Sequence, residues 1–83
     1  MRAVGVDCIF SPNGTVRVRR IRSNGRWQSV EQGRQWQDEE GRHVLIMLNG
    51  TFVREIILNA SDLRWVMKEA TRSVSGTDPG VIA

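Results

Sequence analysis

The sequence predicts a mainly β domain, a small SH3-like barrel, partly open, of about five to six antiparallel strands. Three observations carry that expectation. Asn-Gly dipeptides at 13, 24 and 49 punctuate the chain, and both residues tolerate the positive φ of tight hairpin turns. The segments between them are short and β-rich, at the spacing of a meander. The stretch "HVLIMLNGTFVREIIL", residues 43 to 58, is a hairpin whose arms are apolar on both faces, which suits the middle of a small domain or a face against a partner.

The first strand is placed near 3 to 10. Its apolar run is short and interrupted by Asp7, so it does not read as a signal peptide. Cys8 is the single cysteine. A secreted domain of this size would normally staple its thin core with paired cysteines, so the expectation is a cytoplasmic protein with Cys8 as a small buried hydrophobe. Three Asn-x-Ser/Thr sequons, at 13, 49 and 59, are then irrelevant as glycosylation sites, and turn geometry explains two of them. No run approaches the ~20 apolar residues of a membrane-spanning helix.

The second strand, near 15 to 22, lies in "VRVRRIRSNGR". With Val16 and Val18 inward, Arg17 and Arg19 face out. Ile21 breaks the alternation, and a bulge at Arg19-Arg20 restores it by turning Ile21 in and Arg20 and Arg22 toward solvent. A third strand follows at 26 to 30. Residues 31 to 41, polar apart from Trp36, read as a loop from which Trp36 folds back onto the core.

Strands at 42 to 48 and 51 to 58 form the hairpin around Asn49-Gly50. A two-residue loop pairs Ile46 with Val53 and Leu45 with Arg54. That register sends Val44, Ile46, Leu48, Val53 and Ile57 to the interior with Trp27 or Trp65. It leaves Leu45, Met47, Phe52 and Ile56 on a second apolar face, beneath the terminal segment or against another copy of the chain.

Residues 60 to 71 carry two periods. Leu63, Val66, Met67 and Ala70 form a helical stripe, whereas Leu63, Trp65 and Met67 form a strand stripe; the helical one accounts for more residues. A single domain is expected over 1 to 72, with a disordered tail over 73 to 83, where Gly, Pro, Ser and Thr show no period.

Catalysis finds little support. The chain has one His, one Cys and no Tyr, and no nucleophile elbow, phosphate-binding glycine loop or metal-ligand spacing is present. No catalytic residue, cofactor or metal is assigned, and Asp38, Glu39 and Glu40 read as solvated charge. His43 has no evident carboxylate partner in sequence and reads as structural or simply solvated.

The strongest functional signal is charge segregation. Residues 1 to 26 hold six Arg and one acid, whereas the whole chain is only +3. Eleven of the twelve basic residues are Arg, whose planar fork suits bidentate phosphate contact. Candidate nucleic-acid contacts are therefore Arg17, Arg19, Arg20, Arg22 and Arg26, with Trp27 placed to stack on a base. The same strand also reads as a solvated, aggregation-resistant edge.

The order Gly25-Arg26-Trp27, Trp36, Gly41-Arg42-His43-Val44, Asn49-Gly50, Val53-Arg54-Glu55-Ile56 and Leu63-Arg64-Trp65 resembles a family of small uncharacterised bacterial β-domain proteins. The likeness covers about residues 16 to 67, and this chain departs from it in lacking the family's tyrosines. The resemblance implies a compact β domain with Leu63-Arg64-Trp65 as a final strand. Some members are encoded near lesion-bypass DNA polymerases, which implies a DNA-linked accessory role. Two expectations follow for function: a non-enzymatic accessory protein that binds DNA or RNA through its Arg strand, or a protein-interaction module, as a homodimer, that uses the hairpin face.

Overall fold

The computed structural model describes residues 1–69; the tail expected over 73 to 83 lies outside them. Among the described residues seven strands make up the regular structure: β1 (Arg2–Ala3), β2 (Gly5–Phe10), β3 (Val16–Ser23), β4 (Arg26–Gln37), β5 (Gly41–Leu48), β6 (Phe52–Asn59) and β7 (Trp65–Met67). All neighbours are antiparallel, in the order β1-β7-β6-β5-β4-β3-β2. The outermost strands of that order, β1 and β2, are separated in sequence by Val4 alone, so the sheet's two edges must meet there. The sheet is curled into a partly open barrel, and the Val4 amide donates to the Trp65 carbonyl at 3.2 Å.

The interior is aliphatic. Val4, Val16, Val18, Ile21, Val44, Ile46, Ile56 and Met67 form the buried cluster, with Val6, Cys8, Val30, Leu48 and Trp65 packed against it. Trp65 is therefore the core tryptophan of the two candidates, and Trp27 is 46% exposed. Its place in the core settles the terminal segment as well. Trp65 and Met67 face inward at strand spacing, whereas a helix would leave the indole off its apolar stripe. The helical reading of 60 to 71 is thus corrected over 60 to 69, and residues 70 and 71 lie outside the described ones. Residues 60 to 64 form a tight loop, closed by bonds from Leu63 N–H to Asn59 O at 2.8 Å and from Asn59 N–H to Arg64 O at 2.9 Å.

β3 has the expected bulge. Asp7 pairs with Arg20 and Cys8 with Val18, which leaves Arg19 as the extra residue and keeps Val16, Val18 and Ile21 all buried. The next turn is equally regular: Ser23 pairs with Arg26 across Asn24-Gly25, whose φ values are 55° and 75°.

Two further expectations fail for identifiable reasons. The polar loop expected over 31 to 41 is mostly strand, because β4 continues to Gln37. Its inward glutamines bond a neighbouring backbone. Beyond the Arg20–Ser29 pair the β3–β4 ladder stops, and the side-chain amides of Gln32 and Gln35 take its place. Val18 N–H donates to Gln32 Oε1 at 2.6 Å and Val16 N–H to Gln35 Oε1 at 3.0 Å, while both Nε2 groups donate to Val16 O at 2.9 and 2.8 Å.

The second failure is the hairpin register. Asn49 and Gly50 adopt the left-handed conformation expected, at φ 55° and 66°, but Thr51 joins the loop and Leu48 pairs with Phe52. This one-residue slip exchanges the faces of β6 relative to β5. Phe52 and Ile56 lie on the inner side, with Ile56 fully buried, and so leave the expected interface face. Val53 and Ile57 lie on the outer side, opposite to expectation. Ile57 is nevertheless fully buried there, between His43 and Val66 in the ladder.

Candidate nucleic-acid interface

The outer side of β3 places arginines as the sequence suggested. Arg17, Arg19, Arg20 and Arg22 are all exposed, and only Arg20 has a carboxylate within ion-pair distance among the described residues. Arg20 Nε donates to Asp7 Oδ2 at 3.0 Å, and its guanidinium lies 4.8 Å from the centre of the Trp27 ring. Asp7, Arg20 and Trp27 thus form a stack on the outer face. Gly5, paired with Arg22, leaves room for it: a Cβ there would sit 3.8 Å from the indole and 3.2 Å from Arg22 Cβ. Arg17, Arg19 and Arg22 are left as cations without a protein counter-ion among the described residues.

Arg26 does not share that face. It pairs with Ser23 one step beyond the Arg22–Trp27 pair, so alternation turns it to the other side, at the end of the barrel. There it meets Arg2 and Arg54 around a cleft of about 520 Å³. Trp27 lines the same cleft and so borders both surfaces. Arg2 and Arg54 carry no signal of a site in the sequence. They lie on β1 and β6, and only the slipped register and the closure of the barrel bring them to Arg26.

The hairpin's outer face keeps part of the expected interface. Leu45 and Met47 remain there, and Val53 replaces Phe52 and Ile56. Together with Glu31, Gln32, Gly33 and Ile46 they line a shallow, mainly apolar depression of about 220 Å³.

On the same outer face lies a polar cluster that sequence reasoning missed. His43 is 3% exposed, with Nδ1 2.6 Å from Glu55 Oε2 and Nε2 2.8 Å from Asp38 Oδ1. Its ring stacks on Trp36 with centroids 5.0 Å apart, and Glu40 Oε1 is 3.7 Å from Nε2. Burial alone would lower the imidazole pKa, but the hydrogen bonds to Glu55 and Asp38 outweigh it and hold the pKa above its ordinary value. The bond from His43 is the main cause that holds Asp38 below the usual carboxylate range. Lys68 Nζ completes the cluster at 3.5 Å from Glu55. Asp38, Glu40 and His43 each offer one ligand atom within 4.8 Å of the others, a spacing a metal ion could use. Both ring nitrogens, however, are already engaged by carboxylates, so a protonated imidazolium accounts for the arrangement.

Cys8 packs against the core, and burial, then Asp7, raises its thiol pKa; neither change favours a reactive thiolate. Among the described residues no helix is long and apolar enough to cross a membrane. No family model, curated protein or solved structure matches this chain.

Proposed function

We propose that this chain is a non-enzymatic, cytoplasmic accessory protein that binds DNA or RNA through the outer face of β3. The supporting observation is the row of Arg17, Arg19 and Arg22, exposed and without a carboxylate partner among the described residues. Like charges held close together repel, and a polyanion relieves that repulsion while releasing its own counterions. Trp27, held by Arg20 yet 46% exposed, offers aromatic surface beside the row for stacking.

The test is an anisotropy titration of labelled oligonucleotides across a salt series. Wild type is expected to bind with an affinity that falls steeply with salt. Changing Arg17, Arg19 and Arg22 together to Gln should weaken binding and flatten the log–log salt slope by about 0.7 for each single-strand phosphate no longer neutralised. Arg20 is left intact because it anchors Asp7 and Trp27. An unchanged slope in the triple variant would remove the β3 face from the interface.

A second reading, a protein-binding or homodimerisation face, is favoured by the apolar depression of Leu45, Met47 and Val53. Such an interface would respond little to salt and not at all to the β3 substitutions, so the same titration separates the two.

A further inference from the structure

The cleft at the end of the barrel is chemically unlike the β3 face. It is lined by three arginines, Arg2, Arg26 and Arg54, with Ser23, Gln28 and Asn49 beside them. Its floor is one end of the core, where half-buried Leu48 lies over the buried Ile21 and Met67. No carboxylate lines it among the described residues.

The lining side chains bond neutral or aromatic partners. Arg2 donates to Ser23 Oγ at 3.1 Å, Arg54 donates to Val53 O at 3.1 Å and lies 5.6 Å from the Phe52 ring centre, and Gln28 Nε2 donates to Asn49 Oδ1 at 3.1 Å. The last bond leaves the Gln28 carbonyl and the Asn49 amino group available, one acceptor and one donor at the same opening. A cleft lined by three arginines over an apolar floor matches a ligand with an anionic group and a flat, weakly polar body.

The position of the cleft narrows the class. Arg22 pairs with Trp27, and the next pair is Ser23 with Arg26, so a strand whose phosphates follow the outer face of β3 reaches the cleft in a single step.

We propose that the barrel mouth receives one unpaired nucleotide of a single-stranded nucleic acid: Arg2, Arg26 and Arg54 hold its phosphate, and its base lies over Ile21, Leu48 and Met67 beside Trp27. The inference rests on the nucleic-acid reading above and adds a preference that reading lacks. A base stacked and paired within a duplex cannot enter the mouth, so single strands bind more tightly than duplex of equal length.

The experiment uses the full chain with labelled oligothymidylate and a duplex of the same length. Two variants probe the mouth: Arg26→Gln with Arg54→Gln, and Gln28→Glu, which places a carboxylate among the arginines with almost no change of shape. Each should lose at least about tenfold in single-strand affinity, the scale of one charge-assisted contact, with duplex binding unchanged. Thermal melting confirms that both remain folded.

If both variants bind oligothymidylate as wild type does, while the β3 triple variant is weakened, the strand runs on β3 alone and the mouth assignment is overturned. If wild type binds no oligonucleotide at all, the reading of β3 fails instead. Thymidine 5′-monophosphate then probes the mouth directly. Shifts of the Met67 methyl and Trp27 indole resonances that vanish in the Gln28→Glu variant would sustain a nucleotide site, and unperturbed resonances would overturn it.

Discussion

His43 is held as a cation by geometry, since each ring nitrogen faces a carboxylate oxygen. The groups around it are Asp38, Glu40 and Glu55, with Lys68 behind Glu55. Its folded pKa lies above the ordinary 6.5, so its contribution to stability is complete below that value and lost as pH rises through the folded pKa. Asp38 behaves in the opposite sense: its folded pKa is lowered, so its contribution is present above the ordinary carboxylate value and lost as pH falls through the folded one. The pair stabilises most between these limits. The melting temperature of wild type should therefore fall on moving from neutral to alkaline pH, and His43→Gln should melt lower at neutral pH with a flatter alkaline limb. Parallel profiles for the two proteins would mean that the imidazole is neutral in the fold. This cluster was hidden in the sequence by parity. In the two-residue loop register Glu55 faces away from His43, and only the slip at Thr51 brings both to one side.

At the scale of the element, β4 carries the clearest physical lesson. Its second half looks like a loop because Gln32, Gln35 and their neighbours are polar. Strand patterns read from hydrophobicity assume that an inward side chain packs on apolar atoms, but here inward amides bond a backbone that the ladder has abandoned. A glutamine amide carries the donor and acceptor of a peptide group, which is why the substitution works. Gln35→Leu removes the acceptor for Val16 N–H, while Gln32 still donates to Val16 O. The expected loss is about 1–3 kcal/mol, the cost of an unsatisfied, partly buried donor, read from the midpoint of chemical denaturation. An unchanged midpoint would imply that water replaces the amide there at no cost. The other elements were easier to read. Asn-Gly marks β-turns through backbone conformation alone, and the Val-Arg alternation with its interruption at Ile21 located the β3 bulge. The helical stripe at 60 to 71 misled because a three-residue strand holds too few positions to display a period, and Trp65 was its one reliable signal.

At the scale of the whole molecule, the sequence made the barrel and the basic first third of the chain legible, since both follow from turn spacing and charge counts. It did not reveal the mouth. Arg2, Arg26 and Arg54 come from three strands that converge only when the sheet curls and its edges meet.

That meeting point sets the order in which the molecule opens. Strands β2 to β7 are linked as consecutive hairpins, whose pairings are local in sequence, whereas the pairs Arg2–Met67 and Ala3–Val66 close nearly the full described length of the chain. Loop closure makes such long-range contacts late to form, and with so few residues in register they are the first to part. Amide exchange should be fastest in β1 and β7 and slowest at Val44, Ile46 and Ile56. Uniform exchange across the sheet would instead indicate that the barrel opens as one cooperative body. Arg2 and Met67 are both part of this seam and part of the mouth, so a ligand held there is also a clasp. Its occupancy should slow exchange along β1 and β7 before any other strand, and a protein with its seam open has no mouth left to bind with.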